Sequence, residues 1–175
     1  MHLICHPATP CAFIDRIDVR VMRTDERAFS LRYRAIGDID RLLLPAEQPS
    51  CRADLLWQHT CFEAFLRLQD IPSYAELNFS PSTCWAAYRF DDYRQGMMQL
   101  ELPAAPSIVC QRGSREFELD VQLETPQWLA TAQADLRIAL ASVIEDRQGR
   151  LSYWALAHPS AQPDFHHPDA FKLRS

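Results

Sequence analysis

The sequence predicts an all-β protein: an antiparallel β-sandwich of jelly-roll or immunoglobulin-like character with one short helix, in a single domain over residues 1–175. Three observations carry this. About eight or nine segments alternate apolar and polar residues at the period of two that a half-buried strand requires. One segment only reads as a helix, so there is no βαβ rhythm, and no internal repeat is visible. The chain has 175 residues, 47% hydrophobic and 23% charged, which suits a globular domain able to bury its own core.

"IDVRVMRT" from Ile17 sets Ile17, Val19 and Val21 against Asp18, Arg20 and Met22. "FSLRYRAI" sets Phe29, Leu31, Tyr33 and Ala35 against Ser30, Arg32 and Arg34. Together they predict a hairpin with one solvated face. Gly37, Pro45 and Pro49 mark the next stretch, to Leu55, as a connection. "CFEAFLRL" reads as a strand with Phe62, Ala64, Leu66 and Leu68 on one face and Cys61, Glu63, Phe65 and Arg67 on the other. "YAELNFS" and "CWAAYRF" flank the turn-forming "SPST". "REFELDVQLE" points Phe117, Leu119, Val121 and Leu123 inward. "TPQWLATAQA" predicts one or two helical turns, with Thr125 as N-cap and Pro126 at the first position. "LRIALASVIED" and "LSYWALAHP" form a last hairpin around "RQGR", and a proline-bearing tail follows.

Composition narrows the function classes. The formal charge is −5, Lys172 is the one lysine, and the arginines are scattered, which argues against nucleic-acid binding. No apolar run is long enough to span a bilayer as a helix, so no membrane association is expected. The N-terminal "MHLICHPATPC" has neither a basic region nor an apolar core of a secretory signal. The six cysteines form no C-x-x-C pair, and with no signal they read as reduced thiols of a cytoplasmic protein. There is no G-x-S-x-G, H-E-x-x-H or phosphate-binding loop, and four glycines leave little material for one.

Several residues could carry chemistry. "DFHHPD" resembles a metal cluster, but adjacent histidines on an extended chain point apart, so His166 and His167 do not readily share one ion. Asp164 and His158 are the other candidate ligands there; solvated or turn-capping side chains are the simpler reading. Cys5, His6 and Cys11 lack a fourth zinc ligand. Glu63 and Glu76 lie on neighbouring predicted strands. They could accept hydrogen bonds from sugar hydroxyls, act as the acid and base of a glycoside hydrolase, or pair structurally with Arg67 or Arg89. If "WQHTCFE" is extended, Trp57 shares Glu63's parity. Placing Trp85 and Arg89 on the face of Glu76 and Asn78 leaves Leu77, Phe79, Tyr88 and Phe90 as the apolar face. Tryptophan beside carboxylate, amide and guanidinium groups suits a saccharide, whose C–H face packs on the ring while its hydroxyls meet the polar groups.

The block from "LWQHTCFEAFL" through "YAELNFSPSTCWAAYRFDDYRQGM" resembles the DOMON-like modules related to family nine carbohydrate-binding modules. The match is carried by Glu63, Phe65, Leu66, Tyr74, Glu76, Leu77, Asn78, Ser80, Pro81, Trp85, Tyr88, Phe90, Tyr93 and Arg94, and extends over Leu55 to Phe171. It implies a β-sandwich related to a jelly roll, of the kind found in bacterial modules. It also implies that Trp57 forms one wall of an aromatic clamp and Glu63 a hydroxyl acceptor. Trp154 is the nearest candidate for the opposite wall. Some DOMON relatives bind haem through Met and His; Met97, Met98 and His158 are available, though no spacing singles them out.

The sequence therefore predicts a non-catalytic module, without a required cofactor, for a saccharide or other small polar ligand. Trp57, Glu63, Asn78, Trp85 and Arg89 are expected to line the site, with Tyr93, Arg94, Trp154 and His158 at its edge. The rival readings are the Glu63–Glu76 enzyme and an interaction module whose tryptophan face is covered by a partner or by a second copy in a homodimer.

Overall fold

The computed structural model describes residues 1–130 and 136–174. Its strands are β1 (His2–Cys5), β2 (Ile14–Arg23), β3 (Ala28–Gly37), β4 (Cys61–Leu68), β5 (Tyr74–Phe79), β6 (Trp85–Phe90), β7 (Met98–Gln99), β8 (Ser107–Arg112), β9 (Glu116–Glu124), β10 (Leu136–Glu145), β11 (Leu151–Ala155) and β12 (Leu173–Arg174). One short helix, α1 (Gln127–Ala130), follows β9. The helical segment expected from Thr125 onward lies in part outside the described residues.

All twelve strands belong to one antiparallel sheet, ordered β7-β6-β5-β4-β10-β11-β1-β2-β3-β9-β8, with β12 also paired to β10. Strand β1 is the seam: Ile4 pairs with Ala155 of β11, and Leu3 with Ile17 of β2. The sheet curls there, so its two halves face each other across a shared apolar core. Phe62 of β4 contacts the rings of Tyr33 in β3 and Phe117 in β9, with centroids 5.2 and 6.0 Å away. The Tyr33 hydroxyl donates to the Glu63 carbonyl at 2.7 Å, tying one half to the other.

The half built from β2, β3, β9 and β8 follows the alternation read from the sequence. Ile17, Val19, Leu31, Tyr33, Leu119 and Val121 are buried in the core. The opposite face is charged, with Arg32 paired to Asp120 and Arg34 to Glu116. Gly37 ends β3 at the open end of this hairpin, opposite Ile14; a Cβ there would stand 2.2 Å from the Phe13 carbonyl oxygen.

The other half differs, because its central strands are buried on both faces. Every residue of β5 is buried, and β4 is buried except at Arg67. Phe62, Ala64, Leu66, Ala75, Leu77 and Phe79 face the shared core. Phe65, Tyr74, Ala86, Tyr88 and Phe90 face outward into a second apolar cluster. This cluster is closed by Leu56 and Trp57 and by Phe165, Ala170 and Phe171 from the C-terminal segment. Two-sided burial explains why β4 reads as a nearly continuous apolar run.

Two expectations are corrected here. Cys51 and Cys84, 33 residues apart, form a disulfide with Cα atoms 4.7 Å apart, so not all six cysteines are reduced. The bond fastens the connecting segment to the start of β6, where Trp85 N–H donates to the Cys51 carbonyl and Ala53 N–H to the Trp85 carbonyl. Cys5, Cys11, Cys61 and Cys110 are free thiols. The strand count also exceeds the expected eight or nine, because β1, β7 and β12 are too short to show a period of two and β8 is a mostly exposed strand.

Replacing Phe62 with Ala removes the ring that joins the two halves. We expect a loss of about 3–5 kcal/mol in urea-induced unfolding. A loss below about 1 kcal/mol would show that this ring does not hold the halves together.

Candidate ligand-binding site

On the outer face of β4 and β5 the register sets Glu63 opposite Asn78 and Phe65 opposite Glu76. Glu63 and Glu76 are thus diagonal neighbours on one face, as their parity in the sequence requires. The C-terminal segment crosses above them and leaves a cavity of about 360 Å³. That is near the lower end of small-ligand sites. Glu63 and Glu76 line it together with Trp57, Phe90, Tyr153 and Phe165, and Arg94, Met97, Val143, Pro163 and His166 complete it.

The carboxyls are nearly sealed from water, at 3% and 5% exposure. Burial, and then the neighbouring Glu76, push the Glu63 carboxyl far above the usual carboxylate range. Burial raises Glu76 to about 7, against the opposing pull of the Asn78 hydrogen bond and Arg94. The physical cause is the cost of an ion in a low-dielectric site. Glu76 has support: Asn78 Nδ2 donates to Oε1 at 2.8 Å, and His166 Nε2 lies 3.7 Å from Oε2. Glu63 has less, since its Oε1 is buried with no hydrogen-bond partner.

A fixed network frames this pair. Arg94 N–H donates to the Tyr74 hydroxyl at 3.3 Å, which leaves Tyr74 its own proton to give to His166 Nδ1 at 2.7 Å. His166 is then the Nε2–H tautomer, with that proton toward Glu76. Burial and then Arg94 lower His166 to about 4, so it is neutral near pH 7. Burial would raise Asp164, but hydrogen bonds from Tyr93 and Arg94 outweigh it and hold the carboxyl below its usual range. The Arg94 guanidinium meets Asp164 Oδ1 at 2.8 Å, so its charge is compensated.

The structure gathers only some of the expected residues. Trp57, Glu63 and Arg94 line the cavity. Trp57 sits in a 3-10 turn, Leu56–Gln58, rather than on an extended chain, and its ring meets Tyr88 edge-on at 6.1 Å. Asn78 lies fully buried beneath, holding Glu76. Tyr93 is an exposed rim residue hydrogen-bonded to Asp164.

Trp85 and Arg89 are elsewhere, and the shared face expected for them is corrected. Phe79 pairs with Trp85 and Glu76 with Tyr88, so residues 80–84 form a five-residue connection. Tyr88 and Phe90 therefore join Glu76 on the outer face, while Trp85 turns to the shared core, its ring 4.5 Å from the Arg52 guanidinium. Arg89 lies over Trp128 at 5.3 Å, and Arg67 over Phe171 at 4.7 Å, so neither pairs with Glu63 or Glu76.

Trp154 is also corrected. It is buried in the shared core, its Nε1–H bonded to the Ser152 hydroxyl. His158 packs on His6 with its Nε2 2.7 Å from the Ile4 carbonyl oxygen and does not line the cavity. In "DFHHPD", His166 points in and His167 accepts from the Asp169 N–H. No group of three or more potential metal ligands occurs among the described residues. Phe90, Tyr153 and Phe165 carry no sequence signal that separates them from ordinary core aromatics. Only the fold makes them walls.

No protein-family model matches the chain, and no curated protein matches it in sequence. Among solved structures it is similar to a candidate carbohydrate-binding protein from Bacteroides uniformis, with a TM-score of 0.71 at 11% identity, covering 98% of this chain and 83% of that one. This likeness shows a shared fold. Family nine carbohydrate-binding modules from Caldicellulosiruptor kristjanssonii, solved with glucose and with cellotriose, match with TM-scores of 0.46 and 0.44 at 10% identity. Each match covers 81% of this chain and 66% or 65% of the module's chain.

The buried carboxyls make stability pH-dependent. Folding raises Glu76 from 4.5 to about 7, so the folded state holds a proton that the unfolded chain releases. That contribution is complete below about pH 4.5 and is lost as pH rises through about 7, on the order of 1 kcal/mol per pH unit in that window. Urea titrations at a series of pH values should show this decline, and Glu76→Gln should make it shallower while the part due to Glu63 remains. An unchanged slope in the variant would exclude Glu76 as its source.

Proposed function

We propose that the chain is a non-catalytic binding module of the DOMON-like and family nine type, taking a small saccharide in the cavity over β4 and β5. One observation carries the reading: a buried carboxyl, Glu63, has an unpartnered oxygen in a cavity walled by Trp57, Phe90, Tyr153 and Phe165. An orphaned buried acceptor costs free energy that a ligand hydroxyl would recover, and the aromatic rings supply flat surfaces for the C–H face of a pyranose. The Bacteroides uniformis protein, similar over nearly the whole chain and described for carbohydrate binding, supports the same reading. Trp154, the expected second wall, lies in the shared core; the other aromatic rings that line the cavity with Trp57 are Phe90, Tyr153 and Phe165.

A glycoside-hydrolysing site is the second reading, and the placement of Glu63 and Glu76 on one face favours it. Hydrolysis requires one carboxyl to be ionised as nucleophile or base. Incubation with aryl glycosides separates the readings: the binding module should release no phenol above background, and turnover abolished by Glu76→Gln would establish the enzyme.

A screen of mono- and oligosaccharides should identify a ligand. Trp57→Ala and Glu63→Ala should each weaken its binding at least tenfold in calorimetry while the circular dichroism of the fold survives. Wild-type affinity in both variants would place the site elsewhere.

A further inference from the structure

We propose that the saccharide of this site is an amino sugar, whose protonated amine sits against Glu63 and Glu76 while its ring packs between Trp57 and Phe165. The inference rests on the saccharide reading above and names its polar anchor.

The floor of the cavity is acidic, and among the described residues Arg94 is the one arginine or lysine that lines it. Glu63 and Glu76 share one face, both nearly sealed, and Glu63 Oε1 has no partner. Arg94, the cavity's arginine, is turned to Asp164. Burial pushes the Cys61 thiol and the Tyr74 and Tyr88 hydroxyls up, and His166 is pushed down. All four are therefore uncharged near neutrality, and Arg94, paired with Asp164, only in part offsets Glu76. Ionising both glutamates would give the floor two negative charges against that partial offset. Proteins seldom bury an unpaired charge, and here burial favours the protonated form of the pair unless a cation enters the site.

A neutral sugar could satisfy the free Glu63 oxygen with one hydroxyl but brings no charge against which either acid could ionise. An ammonium has three donors and a full positive charge. It can donate to both carboxyls, and charge-assisted hydrogen bonds are about twice as strong as neutral ones. The walls suit a cation, since the aromatic residues Trp57 and Phe90 line the same cavity. Binding then has a definite proton balance. The amine arrives as R–NH3+, one of the two carboxyls ionises to pair with it, and the proton that carboxyl held passes to the buffer.

Isothermal titration calorimetry tests this with glucosamine, galactosamine and mannosamine, each beside its parent hexose and its N-acetyl derivative. At least one hexosamine should bind at least tenfold tighter than both counterparts. Its enthalpy should vary with the ionisation heat of the buffer, reporting proton release. The isosteric Glu63→Gln should weaken the amine at least tenfold and the parent hexose less than threefold, with unfolding curves verifying that the variant folds. Equal affinity for a hexose or an N-acetyl sugar and its amine overturns the inference and leaves the saccharide reading intact. No binding by any of the nine sugars, and none in the wider saccharide screen, overturns both. Tight amine binding unchanged in Glu63→Gln removes the floor as the seat of the amine and overturns the inference.

Discussion

Glu63 and Glu76 stand on a sheet face that the C-terminal segment seals from water, and the rest of the site is arranged around that burial. A strand pair with one solvated face could carry two carboxylates at no cost. Here Phe165, Ala170 and Phe171 cover the same face, so each carboxyl must be protonated, hydrogen-bonded or paired. Asn78 and His166 meet this demand for Glu76. Tyr74, Arg94 and Asp164 then hold His166 in place, which links β5 and the loop after β6 to the tail. Glu63 keeps an unmet oxygen, and the cavity opens beside it.

The two halves of the sheet divide the labour. The half of β2, β3, β9 and β8 is amphipathic, with a charged outer face, and serves as a platform. The half of β4, β5, β6, β10 and β11 packs on that platform with one face and builds the site with the other. The Tyr33 hydroxyl bond to the Glu63 carbonyl joins the layers directly beneath the acidic floor. Glu63 is held through its backbone from the core side while its carboxyl is buried at the cavity, which suits a preorganised site.

Much of this was legible in the residues. Alternation in β2, β3 and β9 assigned their inner faces, and the shared parity of Glu63 and Glu76 follows from β4 and β5 alone. The tryptophans were less legible, because a tryptophan looks the same in a core and in a clamp. Trp57 reaches the cavity from a 3-10 turn, whereas Trp85 and Trp154 fill the shared core. The disulfide joins residues too far apart in sequence for spacing to reveal it.

The sequence by itself determined the all-β class, the antiparallel pairing of neighbouring strands and the face of each carboxyl on its own strand, because side-chain direction along a strand is set by the period of two. The tertiary structure decided which faces meet. A five-residue connection in place of four puts Tyr88 and Phe90, not Trp85 and Arg89, beside Glu76, since one residue of slip exchanges every side chain between faces. It also decided that the tail closes over β4 and β5, bringing His166 and Phe165 to residues about 90 positions earlier. Such long-range packing depends on complementary surfaces rather than on local periodicity, and no window of sequence contains it.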